Sequence, residues 1–202
     1  PLFRAPRLHV MMGRSLHKET KMQKYIDFDR TRSHNCLFNF VNGIRGCGKT
    51  YGKLKDDIDR YMKGKGRFIY LRRSEEELKT LTTQKCGRLF NHVQTEYEGH
   101  ALWCEANLLH IDKEVCGYAA ALSTARKLKS DALDYVTDII FDEYVIDDTT
   151  SQQRYLPDEV TAFFEFYETV ARPGSRDYDV TVWFLGNAIS SSNPYFDFLN
   201  LD

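Results

Sequence analysis

Short apolar runs and amphipathic stretches alternate along most of the chain. Cys36 to Asn42 (CLFNFVN) is an apolar run that predicts a strand opening into a glycine-rich turn, and Lys49 to about Lys63 predicts a helix. Gly64 and Gly66 stop that helix, and Arg67 to Leu71 (RFIYL) predicts a second strand ending in Arg72 and Arg73. A helix around Glu75 to Leu81 follows. Two β-like runs, ALWCEANLLHI and VCGYAAAL, are separated by Asp112, Lys113 and Glu114 and predict a hairpin. Val136 to Phe141 (VTDIIF) predicts an interior strand running directly into Asp142 and Glu143. Val160, Phe163, Phe164, Tyr167, Val170 and Ala171 recur at helical spacing behind Pro157, which suits a first turn, and Pro173 and Gly174 end that helix. Val180 to Leu185 (VTVWFL) predicts a last buried strand, leading into Gly186 and Asn187. Strand and helix in alternation predict an α/β fold with a mostly parallel central sheet flanked by helices and a β-hairpin insertion.

Residues 1–34 break this pattern. They are rich in Arg, Lys, His and Met, weakly periodic, and begin with Pro1 in place of Met, so they read as a basic extension that is partly an added or processed end. Either a solvated arm or a nucleic-acid-binding arm suits that composition.

The chain has 202 residues, 42% of them hydrophobic and 28% charged, which is enough for one packed domain over residues 35–202 and excludes fibrous and fully disordered classes. With 28 Lys and Arg against 29 Asp and Glu, the net charge of −1 supplies no global attraction to nucleic acid, so any DNA contact must be local. No apolar stretch approaches the roughly 18 to 20 residues that cross a bilayer. Cys36, Cys47, Cys86, Cys104 and Cys116 lack the paired spacing of a zinc site, and a reducing compartment is expected.

Candidate chemistry begins at Gly43-Ile44-Arg45-Gly46-Cys47-Gly48-Lys49-Thr50, a match to G-x-x-x-x-G-K-[ST] placed between a predicted strand and a predicted helix. Glycines let successive N–H groups turn towards phosphate oxygens, and the helix N-terminus adds a positive dipole end. Gly43, Arg45, Gly46, Cys47, Gly48, Lys49, Thr50 and Tyr51 are therefore expected to bind the nucleotide, ATP, with Lys49 on its β- and γ-phosphates. The Thr50 hydroxyl and Asp142 are expected to hold Mg²⁺, and Glu143 to orient and deprotonate the attacking water. A glutamate directly after the metal aspartate separates ATP hydrolases from small-molecule kinases. Asn187 is either a sensor of the γ-phosphate or an ordinary turn residue, and Asp138, inside its strand, reads as structural.

GIRGCGKT, IIFDE and FLGNA in this order, with RFIYLRR, KSDALDYVTDIIFDEY, YLPDEVTAF, ETVAR and FLGNAISSSNPYF, resemble the genome-packaging ATPases of short-tailed phages of the phi-twenty-nine type over roughly residues 35–200. The resemblance implies a RecA-like ATPase with an additional strand and a catalytic glutamate. It further implies a homo-oligomeric ring, a pentamer when assembled, at the portal vertex of a procapsid in the host cytoplasm, moving double-stranded DNA and engaging a structural packaging RNA. Family members usually carry a C-terminal nuclease-like domain; the chain stops at Asp202, so that domain is expected to be absent. No membrane partner is implied.

By the same resemblance, Arg172 in ETVAR is expected to act in trans on the neighbouring subunit's site, with Arg176 in reserve, although helix capping also suits it. Lys129 matches a family lysine facing the neighbouring site, against the alternative of a solvated charge cluster. Arg72, Arg73, Arg126 and Lys127 are candidate DNA-binding residues; Ser74-Glu75-Glu76-Glu77 departs from the family by being acidic where it has a basic side chain. The alternatives weighed against a motor are another P-loop phosphotransferase and a nucleotide-dependent assembly module.

Overall fold

In the computed structural model, β1 (Leu8–Met12), β2 (Phe38–Gly43), β3 (Arg67–Arg72), β4 (Leu102–Glu105), β5 (Leu108–Ile111), β6 (Glu114–Ala121), β7 (Val136–Asp142) and β8 (Thr181–Asn187) form one sheet. Their spatial order is β1-β2-β8-β7-β3-β6-β5-β4. Every ladder from β1 across to β6 is parallel, and only β6-β5 and β5-β4 are antiparallel. The structure describes residues 8–12, 26–82, 88–127, 133–146, 154–172, 177–187 and 193–201, with the backbone alone at 8–12 and 126–127.

The helices are α1 (Phe28–Arg32), α2 (Lys49–Met62), α3 (Glu75–Thr82), α4 (Glu159–Ala171) and α5 (Pro194–Leu199). Strand residues of opposite parity feed two cores, because successive side chains point to opposite faces. On one face Phe38, Phe40, Ile139, Phe141, Val182 and Phe184 meet Phe163, Phe166 and Val170 of α4. On the other, Val41, Tyr70, Ile140, Trp183 and Leu185 meet Leu54 and Ile58 of α2. Each aromatic buried this fully contributes on the order of 2 to 3 kcal/mol. Phe40 and Phe184 stack with centroids 4.4 Å apart at the centre of the first core. Among the described residues no helix is long and apolar enough to cross a membrane.

The topology decides where chemistry can occur. β8 lies between β2 and β7, so the loop after β2 and the acids after β7 are separated by a single strand. All three strands are parallel and end on the same edge, where the register pairs Gly43 with Asn187 and Asp142 with Leu185. Ligands of open α/β sheets bind at that carboxyl edge.

Three sequence expectations change. The run ALWCEANLLHI is two strands, not one: Ala106 and Asn107 adopt φ of 46° and 68°, a two-residue hairpin turn with both central residues left-handed. The expected hairpin is thus a three-stranded meander whose last strand, β6, joins the parallel sheet beside β3. Ala-Asn lacks the glycine that advertises such a turn.

The helix behind Pro157 begins at Glu159, after Asp158 in a left-handed conformation with φ 52°, so Pro157 lies in the preceding turn. Finally, two elements fall within residues 1–34. β1 pairs in parallel with β2, and α1 buries Phe28 edge-on to Trp183 with ring centroids 5.4 Å apart. Gly52 makes room for that contact, since a Cβ there would stand 3.0 Å from the Phe28 ring.

Candidate active site

The loop from Gly43 to Gly48 passes directly from β2 into α2. Gly46 and Gly48 have φ of 78° and 81°, a conformation that side-chain-bearing residues rarely adopt, and α2 starts immediately after Gly48. No side chain caps this helix, so its first N–H groups face the cavity at the sheet edge. The cavity holds about 460 Å³ and is lined by Arg45, Lys49, Thr50, Tyr51, Asp142, Glu143 and Asn187 among others.

Lys49 is buried and its ammonium is folded back onto the loop. Nζ donates to the carbonyls of Gly43 and Ile44 at 3.0 Å each and to Asn187 Oδ1 at 3.2 Å, which uses all three of its protons. Cys47 Sγ lies 3.6 Å from the same nitrogen. Asn187 is therefore inside the site, brought there by its pairing opposite Gly43. Thr50 Oγ1 is 3.1 Å from both carboxylate oxygens of Asp142, so an alcohol and a carboxylate, the hard donors that Mg²⁺ takes, stand side by side. Tyr51 lies at the cavity wall with its hydroxyl donating to Glu96 at 2.5 Å.

Asp142 is buried and receives three further contacts: the Tyr70 hydroxyl at 2.7 Å, the Glu143 backbone N–H at 3.1 Å and the Arg72 guanidinium at 3.5 Å. Burial pushes its carboxyl above the usual carboxylate range. Arg72 and the Tyr70 hydroxyl act against that rise, and neighbouring Glu143 adds to it.

Glu143 sits at φ 56°, outside the usual range for a residue with a side chain. Its carbonyl accepts from Arg73 Nη1 at 3.1 Å, the Tyr144 carbonyl accepts from Nη2 at 2.7 Å, and Arg73 is in turn held by Glu159 at 2.8 Å. Arg73 thus ties the strained turn to the first residue of α4.

Arg72 and Arg73 require a correction as DNA-binding candidates. Both are buried inside the domain, Arg72 on Glu143, Asp142 and Glu77 and Arg73 on Glu159, so neither guanidinium is presented to a phosphate backbone. Alternation explains it: Arg72 shares the face of Tyr70, and the register sets Tyr70 beside Ile140, two residues before Asp142. That arithmetic could have found both Tyr70 and Arg72 as site residues in RFIYLRR.

Arg172 caps α4 at its carboxyl end with φ 41°, its N–H donating to Glu168. Lys129 and Arg176 lie outside the described residues, as do the side chains of Arg126 and Lys127, whose backbone belongs to a 3₁₀ turn over Leu122–Lys127.

Behind the site, on the α2 face, is a buried charge cluster that the sequence did not announce. Asp138 Oδ1 accepts from Arg32 at 2.7 Å, the Trp183 indole at 2.8 Å and Lys53 at 3.4 Å. Lys53, wholly buried, also pairs with Asp56 and Asp57. The expectation that Asp138 is structural agrees with these contacts.

The architecture is three-layer α/β, with a phosphate-loop-like turn and an acid pair at one edge of its sheet. Residues 21–202 match the family described as Podovirus DNA encapsidation protein (Gp16), and the chain belongs to that family. It is 37% identical over 179 residues to the DNA packaging protein of Bacillus phage phi29, covering 89% of this chain and 49% of that protein. The DNA packaging protein of Bacillus phage PZA matches to the same extent, so the chain spans about half the length of these relatives. Its fold is similar to the N-terminal domain of the DNA packaging ATPase from bacteriophage phi29, with a TM-score of 0.75 and 34% identity over 88% of this chain and 86% of that one.

Proposed function

We propose that the chain is the ATP-hydrolysing motor domain of a machine that drives double-stranded viral DNA into a preformed capsid. The observation that carries this reading is the convergence of Lys49, Thr50, Asp142, Glu143 and Asn187 around one cavity at the carboxyl edge of the sheet. β8 between the loop-bearing and acid-bearing strands supports assignment to the RecA-like class with an additional strand. The family relationship to packaging proteins, with a relative solved within a viral genome packaging motor assembly, supports a DNA-packaging role inside a larger assembly; the ring, its portal and packaging-RNA partners and the portal vertex extend this reading from the family resemblance.

In this reading the loop N–H groups and Lys49 bind the triphosphate, with Asn187 positioning the ammonium. Thr50 and Asp142 would hold Mg²⁺, which neutralises phosphate charge when bound. Glu143 accepts the proton of the attacking water and Arg172 serves the neighbouring subunit. Residues 35–202 constitute the motor.

The test is Glu143→Gln. ATP binding retained with turnover lowered by about 100-fold or more is the expected result. Undiminished turnover would point to a phosphotransferase without a water-activating base, and loss of nucleotide binding would remove Glu143 from the catalytic step.

A further inference from the structure

Tyr70 is the one fully buried hydroxyl of the described residues that is aimed at an acid of the site, and it belongs neither to the phosphate loop nor to the acid-bearing strand. Its relative exposure is 1%, and its hydroxyl donates to Asp142 Oδ2 at 2.7 Å. Register makes the contact. Tyr70 pairs directly with Ile140, so Asp142 is its diagonal neighbour on the same sheet face, at a spacing that only a long side chain can bridge. Each oxygen of Asp142 is then individually tethered. Oδ1 accepts from the Glu143 N–H at 3.1 Å, Oδ2 accepts from Tyr70, and Thr50 Oγ1 is equidistant from both at 3.1 Å. With its two ends pinned from β3 and from its own chain, the carboxylate cannot rotate about χ2, and the Thr50 hydroxyl meets a plane of fixed orientation.

We propose that Tyr70 is a positioning residue for the divalent-cation site: it sets the orientation in which Asp142 and Thr50 receive the cation that accompanies the nucleotide. This deepens the proposed function and rests on that reading of Thr50 and Asp142. Partners that orient a ligating group in this way are commonly worth 10- to 100-fold in metal affinity.

Tyr70→Phe removes the donor and keeps the ring in its apolar surroundings. Two readouts on the whole chain separate positioning from packing: Mn²⁺ half-saturation measured by electron paramagnetic resonance with ADP present, and ADP affinity by calorimetry with Mg²⁺ and with EDTA. Tyr70→Phe is expected to raise the Mn²⁺ half-saturation by about tenfold. It should also erase most of the gain in ADP affinity that Mg²⁺ confers, leaving ADP affinity in EDTA within twofold of the unaltered protein. In the Asp142→Asn background the same substitution should change neither quantity, because the group it orients no longer ligates. A Mn²⁺ half-saturation unchanged by Tyr70→Phe, an equal loss of ADP affinity with and without Mg²⁺, or a full effect persisting in Asp142→Asn would each overturn the proposal. Should the unaltered protein show no Mg²⁺-dependent ADP binding at all, the reading of the site itself falls, and that outcome is seen before any variant is made.

Discussion

Arg72 places Nη2 2.5 Å from Glu143 Oε2 and Nη1 3.5 Å from Asp142 Oδ2, so one guanidinium is shared by both acids of the candidate site. Glu77 adds a third carboxylate at 3.3 Å from Nε. Three acids gathered around one guanidinium repel one another, and Arg72 offsets that repulsion as their shared cation.

The two partners of this pair should therefore respond unequally. Arg72→Ala leaves buried Asp142 and its neighbours without a cation and is expected to lower the free energy of unfolding by about 3 kcal/mol. Glu143→Gln removes a half-exposed acid, leaves Arg72 two other carboxylates, and should cost under about 1 kcal/mol. Urea midpoints of the two variants compare them. Equal losses would mean that Arg72 serves Glu143 alone.

How far the site was legible follows from how local its determinants are. Lys49 and Thr50 belong to one contiguous loop, and Asp142 and Glu143 to one strand end, so spacing and polarity sufficed for them. Asn187 was ambiguous because its place beside Lys49 depends on β8 lying next to β2, a pairing of segments far apart in sequence. Tyr70 and Arg72 carried a period-two signal, yet that signal names a face only once the neighbour of β3 is known. The same holds for Arg32, whose guanidinium reaches Asp138 across 106 residues of sequence and ties α1 to the central sheet. The turn at Ala106-Asn107 was hidden for the opposite reason: its chemistry is local, but its first residue is an alanine, seldom found in a left-handed conformation, and no glycine marks the pair.

Asp138 gives the structure a pH signature of known sign. Burial alone would raise its carboxyl, but Lys53, Arg32 and Arg60 outweigh burial and hold it well below the usual carboxylate range. A carboxyl depressed in the folded state stabilises above its unfolded value of about 3.9, and that contribution is lost as pH falls through the folded value. Asp138→Asn should cost about 3 kcal/mol or more near neutrality, since it strips three cations of their common partner. Asp56 and Asp57 face the same cations, and burial, with Asp138 adding to it, pushes the Asp57 carboxyl up to about 8, so the comparison is made in an Asp57→Asn background, where that second titration is removed. The difference between the two proteins is expected to hold steady from pH 7 down to about 5 and to narrow below about 4. Urea midpoints across this range measure it, and a gap that widens on acidification would contradict the assigned direction.

Arg172 lies at the wrong end of its own domain to reach the candidate site of its own chain. α4 starts at Glu159, bound to Arg73 beside the site, and runs back along the sheet. By Tyr167 it has reached the opposite edge, where that ring contacts Phe38 at 5.1 Å and its hydroxyl donates to the Val180 carbonyl. Phe38 and Gly43 are the two ends of β2, roughly 17 Å apart at the rise of a parallel strand. Any part Arg172 takes in hydrolysis must then be played across an interface, where a cation stabilises developing phosphate charge and makes turnover depend on the neighbour. Two inactive chains distinguish this from a capping role. Arg172→Ala retains a complete phosphate loop, and Lys49→Ala retains the arginine. Each alone is expected to lose nearly all ATP turnover, and an equimolar mixture with double-stranded DNA present should recover part of it, because some interfaces then combine an intact Lys49 with a neighbouring intact Arg172. Recovery should rise with total protein concentration as association does. A mixture no more active than its components, or an Arg172→Ala chain that hydrolyses ATP normally and is merely less stable, would return Arg172 to the end of its helix.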